Sequence, residues 1–261
     1  MKKFIYFLTA ALMLAGAAES MAQDVVYRQY RTPHPHHHQH YVSPAEGLGL
    51  HFGFAHSFYR ISDKFSESVD SDRAKNGFHV GLTKDFTLIP YSLYIQTGLD
   101  YVFQAVTPDV PDFNKIDIIA KEQDHRMNIP VQLKYEYPLF PTVSLFAQVG
   151  PTVSFGLASN LKYRARTDDG NLSVTYNYFN RKIKTTGEAG AMKEYIESQA
   201  PGAKFRRFDM YLGGAVGAKF FEILEVSFGY DWGVVNQYKG DLSDEFKMRR
   251  QQFYLTAAVR F

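Results

Sequence analysis

Alternation of apolar and polar residues with a period of two recurs along most of this chain, and it restricts the possible folds more than any other feature. In the first such segment, Leu48, Leu50, Phe52 and Phe54 alternate with small or polar residues. Eight segments show the pattern, namely 47–59, 77–86, 91–104, 127–137, 143–155, 208–220, 224–234 and 253–261. Because successive side chains of a strand point to opposite faces, we predict eight strands with one apolar and one polar face each.

The segments that connect these strands are alternately short and long. The short ones are 88–90, 138–141 and 221–222, and the long ones are 60–76, 105–126, 158–207 and 235–250. Short turns on one side and long loops on the other are typical of outer-membrane barrels. The sequence therefore predicts an all-β fold over 46–261, an eight-stranded antiparallel up-and-down transmembrane β-barrel with short periplasmic turns and long extracellular loops.

The alternation does not decide by itself which face lies inside. A soluble, lipocalin-like ligand binder would turn the apolar face inward. The polar face here consists mostly of Gly, Ala, Ser, Thr and Gln, which suits a narrow barrel interior better than a water-exposed surface. Aromatic residues also lie near the strand ends on the apolar face, as expected for membrane interfaces: Tyr91, Tyr101, Phe103, Tyr135, Tyr137, Phe220, Trp232 and Phe261. We therefore expect the apolar face to contact lipid.

The N-terminal sequence indicates export. Lys2 and Lys3 precede an apolar run over 4–18, and Ser20-Met21-Ala22 supplies a cleavage site, so we predict a signal peptide over 1–22. The run is shorter than the ~20 residues of a spanning helix. No stretch after residue 22 reaches 18 apolar residues, and the chain has no cysteine. Entry into a membrane would then require a closed barrel.

The C-terminal strand and two internal segments carry a family resemblance. The chain ends in Phe261, with Phe253, Leu255, Ala257 and Val259 on the same face, which looks like the terminal aromatic signal for the barrel-assembly machinery. The segments 127–135 and 213–232 resemble the PorT-like small barrels of Bacteroidetes. This resemblance implies an outer-membrane location, and some relatives serve a protein-secretion apparatus.

Charged residues on the polar face are predicted to form a network inside the barrel. They are Asp100, Lys134, Glu136, Asp209, Lys219, Glu225, Asp231 and Arg260. Charges in a narrow interior need partners, so we interpret the set as a structural salt-bridge plug. A narrow proton or ion channel is the alternative. A wide pore is excluded, because open aqueous channels need about 16–18 strands.

A histidine-rich leader is predicted over 23–45, and Pro33 and Pro35 favour an extended, disordered segment. The histidines are His34, His36, His37, His38 and His40. Imidazole binds Zn, Cu and Ni, so these residues are weak candidates for metal binding, and a polar periplasmic linker is the preferred interpretation. We predict no metal site and no cofactor.

The loop over 158–207 is predicted to carry a hairpin that turns at Asp169-Gly170, followed by a short helix over 191–198. It is rich in basic and aromatic residues. The candidate contacts for lipopolysaccharide or a protein partner are Lys162, Arg164, Arg166, Tyr176, Tyr178, Arg181 and Lys182. The alternative is a rim that faces lipopolysaccharide without specific recognition.

Function is constrained mainly by exclusion. The formal net charge of +2 argues against nucleic acid as a partner. His56, Ser57, Asp124 and His125 fall near outer strand ends, where a lipid-modifying enzyme would need its nucleophile or base, but their spacing matches no catalytic motif. We expect a non-enzymatic structural or interaction barrel in contact with outer-membrane lipid, as an accessory to secretion or surface assembly.

Overall fold

The computed structural model describes residues 47–63, 66–70, 74–108, 118–167, 170–187, 204–239 and 246–261. These residues form eleven strands: β1 Leu48–Asp63, β2 Ser66–Asp70, β3 Lys75–Ile89, β4 Leu93–Val106, β5 Ile118–Phe140, β6 Val143–Thr167, β7 Gly170–Asn177, β8 Ile183–Thr186, β9 Phe208–Phe220, β10 Leu224–Gly233 and β11 Phe246–Arg260. The described part of the chain contains no helix long and apolar enough to cross a membrane.

Eight of the strands close into a ring. Their order is β5-β4-β3-β1-β11-β10-β9-β6, and pairing of β5 with β6 completes the circle. Every pair is antiparallel, and β1 meets β11 from Gly49 opposite Arg260 to Asp63 opposite Phe246. The ring leaves no free sheet edge along its walls. The predicted eight-stranded antiparallel barrel is confirmed.

The apolar face points outward and the polar face inward. Leu82, Val149 and Val216 are each more than half exposed, whereas Gln96, Gln132 and Lys134 are buried in the lumen. Strand β10 shows the alternation in its simplest form, with outward residues exposed and inward residues buried along its whole length. A soluble barrel would show the opposite arrangement, so the lipocalin-like alternative is wrong.

The tight turns lie at one end of the barrel, as predicted. Phe220 pairs with Leu224, so the hairpin loop between β9 and β10 has three residues. Ile223 N–H donates to Phe220 O at 3.1 Å, and the two central residues of that β-turn, Phe221 and Glu222, have φ values of 53° and 62°. Both positive values are the type I′ geometry that matches the twist of adjacent strands. Neither residue is glycine, so the turn costs roughly 1–2 kcal/mol per residue in backbone strain.

At the other end, the strands extend well beyond the segments predicted from alternation. Strand β5 begins at Ile118 rather than 127, β6 continues to Thr167, and β11 begins at Phe246 rather than 253. Strand β7 pairs with the outer part of β6, β8 pairs with β7, and β2 pairs with β1. Where the structure describes them, the predicted long loops are therefore largely hairpin extensions of the barrel wall. The alternation weakens there because these extensions do not face lipid.

The hairpin predicted within 158–207 is confirmed, but Gly170 already pairs with Thr167, so the turn precedes Gly170 instead of including it as predicted. Thr167 lies opposite Gly170, and Asn160 lies opposite Asn177. The two residues between these strands, 168 and 169, are outside the described residues, as is the helix predicted over 191–198.

Candidate functional site

The lumen holds its charged side chains in separate layers, and the layer nearest the tight turns is electrically balanced. Lys134 lies 2.6 Å from Glu225, 3.0 Å from Glu136 and 3.2 Å from Asp85. Arg260 pairs with Asp85 at 3.1 Å and Glu225 at 2.9 Å. A further ion pair joins Lys219 to Glu136. Three cations thus neutralise three carboxylates that lie close enough together to bind a metal, so this acidic cluster is already occupied by the chain's own cations.

A second balanced layer lies near the outer mouth. Lys75 lies 2.6 Å from Glu122 and 2.7 Å from Asp124, and Arg250 lies 3.1 Å from the same Asp124 oxygen. A separate ion pair joins Arg126 to Asp209 at 3.4 Å. Arg126 also donates to Gln237 Oε1 at 3.1 Å, which ties the segment after β10 to the lumen. Because these charges are buried and paired, they obstruct the lumen.

Between the two balanced layers lies a cavity of about 90 Å³. His51, His79, Asp100 and Asp231 are among its lining residues. His51 Nε2 lies 2.9 Å and His79 Nδ1 3.4 Å from the same Asp100 oxygen. His79 Nε2 also contacts Thr256 Oγ1 at 3.2 Å. Imidazole and carboxylate groups therefore converge midway along the lumen.

The eight charged residues that the sequence placed in the lumen all point inward. The structure distributes them over the three levels: Lys134, Glu136, Lys219, Glu225 and Arg260 near the turns, Asp100 and Asp231 at the cavity, and Asp209 near the mouth. They do not form one network.

Several lumen residues were absent from the predicted set. They are Asp85, Lys75, Glu122, Asp124, Arg126, Arg250, His51 and His79. Asp85, His51 and His79 lie on the polar face of predicted strands, so the alternation could have identified them. The others lie in segments predicted as loops, where no alternation was recognised.

The inner side of the β6–β7 hairpin is apolar and covers the barrel mouth. Leu161, Val174, Tyr176 and Tyr178 form a buried cluster. Tyr178 stacks on Phe205 with ring centroids 4.7 Å apart. Tyr176 and Tyr178 are therefore packing residues, and the prediction that they contact a partner is wrong. Burial raises the pKa of the Tyr176 hydroxyl, although the charge of Arg181 opposes the shift.

The outer side of the same hairpin is basic. Lys121 on β5 lies directly opposite Lys162 on β6. Across the next two strands, Thr175 on β7 lies opposite Lys162, and Lys184 on β8 lies opposite Thr175. Arg164 is on the next rung of the same side, and it is exposed. We call Lys121, Lys162, Arg164 and Lys184 the basic face.

The other basic candidates are placed differently. Arg181 and Lys182 are exposed in the turn between β7 and β8, and Arg166 lies opposite Asn171 near the hairpin end. The structure does not describe the side chain of Arg166.

The residues considered for lipid chemistry are not brought together. Ser57 donates to Gln104 inside the lumen at 2.9 Å, and Asp124 is held there by Lys75. On the outer side of the wall, His56 contacts Asn76 at 2.7 Å and His125 contacts Tyr101 at 2.6 Å. Ser57 and Asp124 both face the lumen, but each is bonded to other residues, and among these four residues no hydrogen bond joins a nucleophile to a base, as catalysis by such a pair would require.

The structure describes the predicted assembly signal at the C-terminus but not the predicted leader. Phe261 is half exposed at the turn side, and its backbone N–H donates to Leu48 O at 2.9 Å. The leader histidines, His34, His36, His37, His38 and His40, are outside the described residues.

A closed ring with an apolar exterior, an obstructed polar lumen and extended hairpins at one end defines a transmembrane β-barrel. Residues 45–238 match the family described as outer membrane protein beta-barrel domain. The chain belongs to this family, and family membership implies an outer-membrane location.

Three solved structures that this chain matches have low sequence identity to it. Ail, the attachment invasion locus protein of Yersinia pestis, is 12% identical, with coverage of 83% of this chain and 99% of Ail and a TM-score of 0.34. OprG from Pseudomonas aeruginosa is 9% identical, with coverage of 84% and 95% and a TM-score of 0.37. The outer membrane enzyme PagL is 9% identical, with coverage of 80% and 99% and a TM-score of 0.38. No curated protein sequence is significantly similar to this chain.

Proposed function

We propose that this chain is a non-enzymatic interaction barrel of the outer membrane whose outer hairpin binds anionic groups at the cell surface. The observation that supports the proposal best is the Lys121–Lys162 pair. Like charges directly opposite each other on neighbouring strands destabilise a sheet. A sheet that keeps such a pair, with Lys184 and Arg164 beside it, is suited to an acidic partner.

The position of the basic face favours lipopolysaccharide as that partner. The face lies on the outer side of the wall, and Lys121 lies four residues along β5 beyond His125. The Nδ1 atom of His125 hydrogen-bonds the Tyr101 hydroxyl. Four residues of strand correspond to roughly 13 Å along the wall. The basic face therefore lies just above the aromatic residues at the membrane interface, where lipid phosphates are expected.

Two further parts of the proposal extend it beyond the family. We infer export by a signal peptide over 1–22, from the charge and apolar run at the N-terminus. We also infer a relation to the PorT-like barrels of Bacteroidetes, from the segments 127–135 and 213–232. That relation would make the barrel an accessory to secretion or surface assembly, and a protein partner would then bind the same outer hairpins.

Charge-neutral variants of the basic face test the proposal. The full chain is purified in detergent, immobilised and exposed to lipopolysaccharide or to a zwitterionic phospholipid at several salt concentrations. The parent is expected to retain lipopolysaccharide in a salt-sensitive manner. The triple variant Lys121→Gln, Lys162→Gln and Arg164→Gln is expected to lose this retention.

The matched control removes the same number of charges elsewhere on the outer part of the molecule. Arg206, Lys239 and Lys247 are exposed there, and their replacement by Gln should leave lipopolysaccharide retention unchanged. Equal loss in both triple variants would mean that only net charge matters, and the assignment of a specific binding face would be wrong.

A further inference from the structure

The cavity midway along the lumen brings together residues that bind transition metals. His51 on β1, His79 on β3 and Asp100 on β4 come from three neighbouring strands. Their ligand atoms all lie within 4.8 Å of one another. The two imidazole–carboxylate distances are 2.9 Å and 3.4 Å. Ligands in a tetrahedral zinc site are separated by about 3.3 Å, given metal–ligand bonds of about 2.0–2.1 Å.

A second observation concerns oxygen atoms that lack partners in the same cavity. Asp231 lines it from β10, is 4% exposed, and its Oδ1 atom has no hydrogen-bond partner. Asn128 Oδ1 and Gln132 Oε1 are also buried, without partners, and belong to residues that line the cavity. Buried acceptors that lack donors are costly, so this cavity is suited to a cation.

The net charge of the residues around the cavity also favours a bound cation. The layers on either side contain equal numbers of cations and carboxylates. Among the residues that the structure describes, no lysine or arginine forms an ion pair with Asp100 or Asp231. In the deprotonated form that binds a metal, two imidazoles and two carboxylates carry two negative charges together, which one divalent cation would neutralise.

Glycines leave the space that these side chains occupy. A Cβ atom at Gly53 would collide with the His79 ring, and one at Gly213 would collide with Asp231 Oδ1. The small residues on the inner face are therefore placed where the converging groups need room.

We propose that this cavity binds one divalent transition-metal ion of the zinc type. His51, His79 and Asp100 are the ligands, and Asp231 lies across the cavity as the fourth ligand or as the neutralising charge. Imidazole nitrogens combined with carboxylates favour Zn²⁺ and its neighbours over Mg²⁺ and Ca²⁺, which prefer oxygen ligands alone. The ion would cross-link β1, β3, β4 and β10 through the lumen.

The experiment must separate this site from the leader, whose histidines are weak candidates for metal binding. The reference protein is the full chain with His34, His36, His37, His38 and His40 replaced by Gln. It is refolded into detergent micelles with or without Zn²⁺ or Co²⁺, because the charge layers close the cavity after folding. Bound metal is measured by mass spectrometry after desalting, and the Co²⁺ absorption spectrum reports the coordination geometry.

One equivalent of Zn²⁺ and a tetrahedral Co²⁺ spectrum are expected for the reference protein. Asp100→Asn and His51→Gln should each weaken binding at least tenfold. His125→Gln is the matched control, because His125 lies outside the lumen, and it should bind as the reference does. Folding of each variant is checked by its migration on a gel before and after boiling.

Zinc should also raise the temperature at which the folded band of the reference protein disappears, because a ligand that binds only the folded state stabilises it. If the folded reference protein retains no metal, or if Asp100→Asn retains as much, the proposal is wrong and the cavity holds water instead. Should the variants not fold, the metal content and Co²⁺ spectrum of the reference protein alone decide between these outcomes.

Discussion

Lys134 on β5 and Glu225 on β10 form a 2.6 Å ion pair across the lumen, although 91 residues separate them in the chain. The two strands are not neighbours in the ring, so the contact crosses the barrel interior. Such pairs fix the arrangement of the wall and fill the space that a channel would need.

Removing one partner of this pair is expected to destabilise the barrel. Lys134→Met leaves Glu225 and its neighbouring carboxylates under-neutralised, which should lower the free energy of unfolding by about 3–5 kcal/mol. The double variant Lys134→Met and Glu225→Met removes both charges. Its loss in free energy of unfolding should be smaller, by about 0.5–3 kcal/mol, than the sum of the losses in the two single variants. Denaturant unfolding in micelles measures all four proteins. Strictly additive costs would contradict a direct interaction.

An arginine on the lipid-facing side should be costly only within the membrane. Val131 is half exposed on the outer face of β5, and Val131→Arg is expected to cost about 2–4 kcal/mol near the midplane. Val226→Arg on β10 should also be destabilising. The matched control is Ile119→Arg, on the same face of β5 but beyond the membrane, which should cost little. Unfolding in lipid vesicles compares the three, and similar costs for Val131→Arg and Ile119→Arg would show that this part of β5 does not contact lipid.

The basic face should gain stability when its like-charge pair is removed, even as it loses binding. Lys162→Glu places an opposite charge across from Lys121, and a cross-strand ion pair is expected to stabilise the hairpin by about 0.2–1 kcal/mol. The same variant should retain less lipopolysaccharide. Hydrogen exchange of the β7 backbone amides measures the stability of the hairpin. Lower protection together with weaker binding would point instead to simple disruption of the hairpin.

The last side chain is expected to act during assembly. Phe261→Ala keeps the backbone hydrogen bond to Leu48, so the folded barrel should be nearly as stable as the parent in micelles. In cells, the variant should show a smaller folded fraction in the outer membrane. Phe140→Ala is the control, because Phe140 is also exposed at the turn side but is not terminal. Equal losses in cells and in micelles would assign Phe261 a purely structural role.

The candidate sites were only partly predictable from the sequence. Asp100 and Asp231 were recognised as lumen charges because each lies on the polar face of an alternating strand. Lys75, Asp124 and Arg250 were missed because they lie in hairpin extensions beyond the lipid, where no apolar stripe marks the strand. Tyr176 and Tyr178 were misassigned because nothing in the local sequence distinguishes an aromatic residue facing a partner from one packed over the barrel mouth.

The sequence by itself determined the number of membrane-crossing strands, the tight turns and the lipid-facing side, because a period of two acts locally and repeats in every strand. The tertiary structure decided which charges meet. Ring closure brings residues from distant strands, such as Arg126 and Asp209, to one level of the lumen, and the register of each strand pair sets that level. Register depends on pairing along the whole wall, so the two balanced layers and the histidine-lined cavity between them appear only in the folded barrel.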